Sequence, residues 1–337
     1  MHQIIVENLV KTFRVSERPS GLWGAVRGIV HRRHRTVQAL DGISFALDAG
    51  ELIGYIGPNG AGKSTTVKTL AGILVPDGGR CEVLGRVPWR ERIAHVADIG
   101  VVFGQRTQLW WDLPVTESFE LLRDIYRVPQ PRYVAARDEL VALLDLGPLL
   151  DVPVRQLSLG QRMRCDVAAA LLHAPAILFL DEPTIGLDAV SKLAVRDFVK
   201  RLNRERGVTV ILTTHDMDDI EALCTRIIVI GDGRILSDGS LSELRNRVTR
   251  ERWLTVDLAQ VDDAIDDPDA TVIRQEGGRV CLAFDPQRVS SAELIQRVTR
   301  THAIRDLFVE NPPIETIVAR LYGRSVLPPT AGAEQHA

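Results

Sequence analysis

Glu51-Leu52-Ile53-Gly54-Tyr55-Ile56-Gly57-Pro58-Asn59-Gly60-Ala61-Gly62-Lys63-Ser64-Thr65 is the stretch that decides the fold. Glu51 to Ile56 reads as a short apolar strand, and it runs into a glycine loop followed by a helix expected over Lys63–Ala71. The loop matches GxxxxGK[ST], and the positions have physical reasons. Glycines adopt backbone conformations closed to residues that carry a Cβ, which lets N–H groups close around phosphate oxygens. The start of the following helix favours an anion through its dipole. Lys63 adds a cation for β- and γ-phosphates, and the Ser64 hydroxyl is a ligand for Mg²⁺. The candidate nucleotide-binding loop is therefore Gly57, Pro58, Asn59, Gly60, Ala61, Gly62, Lys63, Ser64 and Thr65.

Working outward, the second half of the chemistry is Ile177-Leu178-Phe179-Leu180-Asp181-Glu182. Four apolar residues predict a buried strand with two carboxylates at its C-terminal end, where open α/β sheets hold ligands. Asp181 suits the Mg²⁺ shell, and Glu182 is placed to polarise an attacking water. The rest of the first two thirds alternates between the two elements. Strands are expected at 1–13, 37–47, 176–180, 208–213 and 226–231, and helices at 116–150, 159–173, 189–206 and 216–223. That alternation predicts a mostly parallel α/β sheet. After about residue 245 the composition shifts. Strand-like segments 252–258, 271–275 and 279–284 and helical segments near 290–300 and 313–322 predict a small α+β domain over 250–323, with a tail at 324–337.

Bulk properties narrow the function classes. With 337 residues there is room for two domains, and the formal net charge of −3 gives no general attraction to nucleic acid. Cys81, Cys165, Cys224 and Cys281 are scattered without a CxxC pair, which argues against a zinc site or disulfide framework and fits reduced thiols. No secretory leader is visible at the start, and the longest apolar run, Ala168–Leu180, is too short to span a membrane. Six aspartates, Asp257, Asp262, Asp263, Asp266, Asp267 and Asp269, read either as a solvated acidic loop or as a metal cluster.

Over about residues 1–245 the chain resembles the nucleotide-binding subunit of an ABC transporter. Besides the two phosphate motifs, Gln105 resembles the Q-loop glutamine that senses Mg²⁺ and the membrane partner. Leu157-Ser158-Leu159-Gly160-Gln161 resembles the LSGGQ signature, with Leu159 in place of its first glycine. Gly186-Leu187-Asp188 resembles the D-loop, and His215 the switch histidine. Phe13 stands where the family places an aromatic that stacks on adenine; outside that context it reads as core. The resemblance implies a P-loop NTPase fold, with a RecA-like core, an antiparallel β subdomain and a helical subdomain at about 106–165. It implies ATP and Mg²⁺ as cofactors, with Lys63, Gln105, Glu182 and His215 catalytic and Ser64, Gln105 and Asp181 around the metal. It further implies a second copy that lends Ser158, Gly160 and Gln161 to the nucleotide.

Only 95 positions separate Lys63 from Ser158, with no heptads between, and there is one cassette. Chromosome-maintenance and translation-associated ABC proteins are disfavoured on those grounds. Trp110 and Trp111, just after Gln105, read either as core or as a docking face for a membrane subunit. Residues 11–35 carry seven basic residues and one acidic residue. The stretch 14–36 resembles an insertion in polysaccharide-exporter ATPases, read either as a solvated loop or as a contact with the inner leaflet. Glu310-Asn311-Pro312-Pro313-Ile314-Glu315 resembles the end of the appendage in ABC-2-type exporter ATPases. The expectation is an exporter ATPase, peripheral on the cytoplasmic face, serving a separate ABC-2-type membrane subunit. A glycan exporter, an importer and a non-transport ATPase are the alternatives.

Overall fold

The apolar run before the glycine loop lies within the main sheet of the computed structural model, which describes residues 2–16, 34–104, 106–260 and 265–323. Gln105, residues 17–33 of the basic stretch, Asp262, Asp263 and the tail 324–337 lie outside the described residues. In chain order the first unit runs β1 (His2–Ser16), β2 (His34–Asp48), β3 (Leu52–Ile56), α1 (Lys63–Leu70), β4 (Gly78–Val83), α2 (Arg92–Val96) and β5 (Ile99–Phe103). It continues with α3 (Val115–Ile125), α4 (Gln130–Leu143), α5 (Leu159–Ala169), β6 (Ile177–Asp181), α6 (Ala189–Arg206), β7 (Thr209–Thr213), α7 (Met217–Leu223), β8 (Arg226–Gly231) and β9 (Arg234–Gly239).

Six of these strands form one sheet in the order β5-β6-β7-β3-β8-β9, parallel except for the last pair. Strands β3 and β7 are buried at every position, as continuous apolar runs covered on both faces require. The register brings the chemistry to one level. Phe103 pairs with Asp181, Asp181 with Thr213, and Tyr55 with Thr213, so four adjacent strands end together at their carboxyl ends. A second sheet, β2-β1-β4, is antiparallel, and both sheets contribute to one apolar cluster with Ile4, Leu40, Val67, Phe179 and Ile228.

Several boundaries differ from expectation. The first hairpin does not stop at Phe13 and Val37: pairing continues through Arg14–Thr36 and Val15–Arg35 to Ser16–His34. The expected helix 116–150 holds two helices, because Arg127 takes φ +52° and Pro129 stands at the N-cap of the second. The helix from Leu159 ends at Ala169 rather than His173, followed by a turn with Ala174 at φ +54°. Strand β4, Gly-Gly-Arg-Cys-Glu-Val, was not legible because it has little apolar alternation.

The second unit, from Leu241, contains α8 (Leu241–Val248), β10 (Arg252–Leu258), β11 (Ala270–Glu276), β12 (Arg279–Phe284), α9 (Ser291–Thr301), β13 (Ile304–Glu310) and α10 (Ile314–Leu321). Its antiparallel sheet has the order β11-β12-β10-β13. Leu254, Val256, Val280, Leu282 and Phe284 form a core with Leu294 and Val298 of α9. Three aspartates of the acidic run pair with arginines: Asp257 with Arg279 at 2.6 Å, Asp267 with Arg297 at 3.0 Å, and Asp269 with Arg288 at 3.2 Å. These ion pairs engage three of the six carboxylates, and among the described residues no group of three or more His, Cys, Asp or Glu is arranged to hold a metal ion.

Candidate functional site

The glycine loop is built by close backbone approach. A Cβ at Gly57 would stand 2.4 Å from the Ile230 carbonyl oxygen. Gly62 takes φ +111°, and a Cβ there would meet the Ala39 carbonyl oxygen at 2.5 Å. Both positions therefore require glycine, and the second seats the loop against β2. Pro58, Asn59 and Gly60 are exposed at the rim. Lys63 is only 6% exposed, and its Nζ donates to the carbonyls of Gly57 at 2.7 Å and Pro58 at 3.2 Å. Burial pulls the Lys63 ammonium below its usual range, while Glu182 and Asp181 nearby oppose the shift.

The carboxylates stand across from the loop. Ser64 Oγ lies 3.5 Å from Asp181 Oδ1, which also accepts from the Thr213 hydroxyl of the neighbouring strand. Glu182 takes φ +53°, its N–H held by the Thr213 carbonyl at 2.8 Å. His215 Nδ1 is 3.4 Å from Glu182 Oε1. A cleft of ≈ 370 Å³ opens between Ser64, Lys68, Phe103, Gly104, Asp181 and Glu182. A buried ammonium and a hydroxyl facing a carboxylate are the donors that a phosphate and a hard divalent cation need.

Behind this row stands a network that sequence reasoning missed. Asp219 is fully buried and accepts from Thr184, beside Glu182, and from Arg196 of α6, with the Thr214 hydroxyl 3.5 Å away. It ties the segments after β6 and β7 together. Its partners lie up to 35 positions apart, so no local pattern signals it.

The other predicted site residues lie elsewhere. Ser158 caps α5: its hydroxyl accepts from Gln161 N at 3.2 Å, and the Gln161 side chain accepts from Ser158 N at 2.9 Å. Leu159, the first residue of α5, packs on the D-loop, since a Cβ at Gly186 would meet Leu159 Cδ2 at 2.8 Å. Gly160 abuts Ser191, where a Cβ would meet the hydroxyl at 2.6 Å. Asp188 caps α6 by accepting from Ser191 N at 2.9 Å. Phe13 is half-buried and outside the apolar cluster, with Lys11 Nζ 5.6 Å from its ring centre. Trp110 and Trp111 are 38% and 51% exposed, so they are not core.

The profile of the ABC transporter family matches residues 40–185. Nod factor export ATP-binding protein I of Ralstonia nicotianae is 32% identical over 311 residues, covering 90% of this chain and 94% of that protein. The chain belongs to the ABC transporter ATP-binding proteins. Daunorubicin resistance ATP-binding protein DrrA3 of Streptomyces coeruleorubidus is 38% identical over 66% of this chain and 69% of its own length. Methionine import ATP-binding protein MetN of Geobacillus kaustophilus is 36% identical over 64% of each. The dimeric structure of MJ0796, a bacterial ABC transporter cassette, superposes with a TM-score of 0.57 at 26% identity, covering 71% of this chain and 98% of that one. This ABC cassette is the ATP-binding subunit of a transporter and hydrolyses ATP to drive transport. ABC ATPases of this kind pair with one another and with membrane subunits. Among the described residues no helix is long and apolar enough to cross a membrane.

Proposed function

We propose that this ABC cassette powers export. Two copies sandwich two ATP molecules, each held by the glycine loop of one copy and by Ser158, Gly160 and Gln161 of the other. The observation that carries the catalytic part is the common level at which β3, β6 and β7 deliver Lys63, Asp181–Glu182 and His215. The phosphates of ATP take the place of the Gly57 and Pro58 carbonyls around Lys63 Nζ. Ser64 and Asp181, with Gln105, would hold Mg²⁺, which when bound would supply positive charge against the phosphates. Glu182 accepts a hydrogen bond from the attacking water, and His215 steadies Glu182 and the outgoing γ-phosphate. Phe13 stacks on the adenine.

Glu182→Gln tests this. Turnover should fall by roughly 100-fold or more, in line with the loss of a general base, and ATP should then trap a dimer visible by light scattering. A variant that stays monomeric in saturating ATP sinks the sandwich.

The direction of transport rests on how far the similarity runs. The Nod factor export relative spans 90% of the chain, so most of the 97-residue second unit is included, whereas the methionine import relative spans 64%, no more than the cassette requires. A separate ABC-2-type membrane subunit, contacted from the cytoplasmic face, follows from that reading. Import is the second reading, favoured by the methionine import relative. The adjacent reading frames decide between them: a six-helix permease supports export, and a solute-binding protein overturns it.

A further inference from the structure

Asp166 is a buried acidic residue that the site does not use. It sits on α5, which begins with the Ser158–Gln161 loop, yet it faces inward among Met163, Cys165 and Val167 and is only 4% exposed. Its Oδ1 accepts from Thr107 Oγ1 at 2.7 Å and from Gln108 N at 3.0 Å. The bond is returned, because Gln108 Nε2 donates to the Asp166 carbonyl at 2.8 Å. Thr107 Oγ1 in turn accepts from Leu109 N at 3.1 Å, which turns the chain toward Trp110 and Trp111. One turn before Asp166, the Arg162 guanidinium lies 5.5 Å over the Trp111 ring. The segment that leaves β5 at the catalytic cleft is thus fastened along α5.

Packing does not explain the contact. A cavity of ≈ 220 Å³ lies beside it, walled by Val101, Phe103, Arg106, Thr107 and Asp166. With space on one side, the hydrogen bonds set the register. Placing a carboxylate among apolar neighbours is costly, and burial pushes its pKa up to about 6 despite the two donors. An alanine would satisfy the helix at no such cost.

We propose that Asp166 is a positioning residue: through Thr107 and Gln108 it locks the segment after β5 to α5 and thereby sets where the Ser158–Gln161 loop stands for the opposite copy. The proposal rests on the ATP sandwich above. The closing experiment uses the full chain in a Glu182→Gln background, with binding of ATP to the monomer and ATP-driven pairing measured separately. Asp166→Ala should weaken pairing by about tenfold or more while monomer ATP affinity stays within about twofold. Thr107→Val, on a different element, should give the same split. The double variant should be no weaker than either single, because both break one lock. Asp166→Asn, which keeps the acceptor oxygen, should pair like its parent.

Unchanged pairing in either folded variant overturns the proposal, as do effects that simply add in the double. If Asp166→Ala does not fold, Thr107→Val decides alone by the same criterion. A parent that never pairs in ATP is a different failure: it removes the sandwich, and this lock with it.

Discussion

Leu159 shows how a residue that departs from a motif can be harmless to the backbone. It is the first residue of α5 and does not take positive φ, so the conformational freedom of glycine is not needed there. Its side chain instead packs on Gly186 of the same copy. Asp166 carries the sharper expectation at this scale. Its folded pKa, raised to about 6 from 3.8, means that its contribution to stability is full below about pH 4 and is lost as pH rises through about 6. A rise of that size corresponds to roughly 3 kcal/mol at most. Asp166→Asn should therefore flatten the fall in stability between pH 4 and pH 6 and be the more stable protein at pH 7, by chemical denaturation. A slope in that window unchanged by the substitution would show that another group titrates there. Residues such as Lys63, Ser64, Asp181 and Glu182 were legible in sequence because one loop or strand end presents each set. Asp166, Thr213 and Asp219 were not, since their partners are 59, 32 and 35 positions away and depend on the register of the fold.

Elements were legible where periodicity was strong and blurred where a special backbone conformation intervened. Strands β3, β6, β7 and β8 read as apolar runs and stand at nearly those positions. The break between α3 and α4 is marked in sequence by Pro129, and apolar spacing on both sides of it masked that signal; the positive φ at Arg127 has no sequence signature of its own. Strand β13, Ile-Arg-Asp-Leu-Phe-Val-Glu, was missed because its charges obscure the alternation. Helix caps are testable apart from the nucleotide chemistry. Ser290 caps α9, with its hydroxyl accepting from Glu293 N at 3.2 Å. Ser290→Ala should cost about 1 kcal/mol, read as a lower unfolding midpoint with ATP turnover unchanged. No change in the midpoint would mean that the α9 cap is replaced by water.

Two units with separate apolar cores, divided at Ser240, should unfold as two events. Calorimetry of the full chain in Glu182→Gln form should resolve them, and ATP should raise only the one belonging to the first unit. Ligand at a hundred times its Kd adds about 2.7 kcal/mol to the state that binds it. A single transition that moves as a whole with ATP would show that the units unfold cooperatively. The composition shift near residue 245 made the second unit visible in sequence; the pairing of the acidic run with arginines was not, because Arg279, Arg288 and Arg297 lie on or beside other elements.

The cap of α5 has a consequence for how such a molecule can change. Ser158 Oγ spends a lone pair on Gln161 N, which leaves its own hydrogen free to point outward. In the proposed pair, that hydrogen is what an opposing γ-phosphate oxygen would accept. Aspartate is an equally good cap, yet it has no hydrogen to give at neutral pH and would set a negative charge against the nucleotide. Alanine would lose both uses at once. A hydroxyl receives and gives through the same oxygen, whereas an asparagine cap would split the two uses between different atoms, so a firmer helix start and a tighter partner meet here in a single atom.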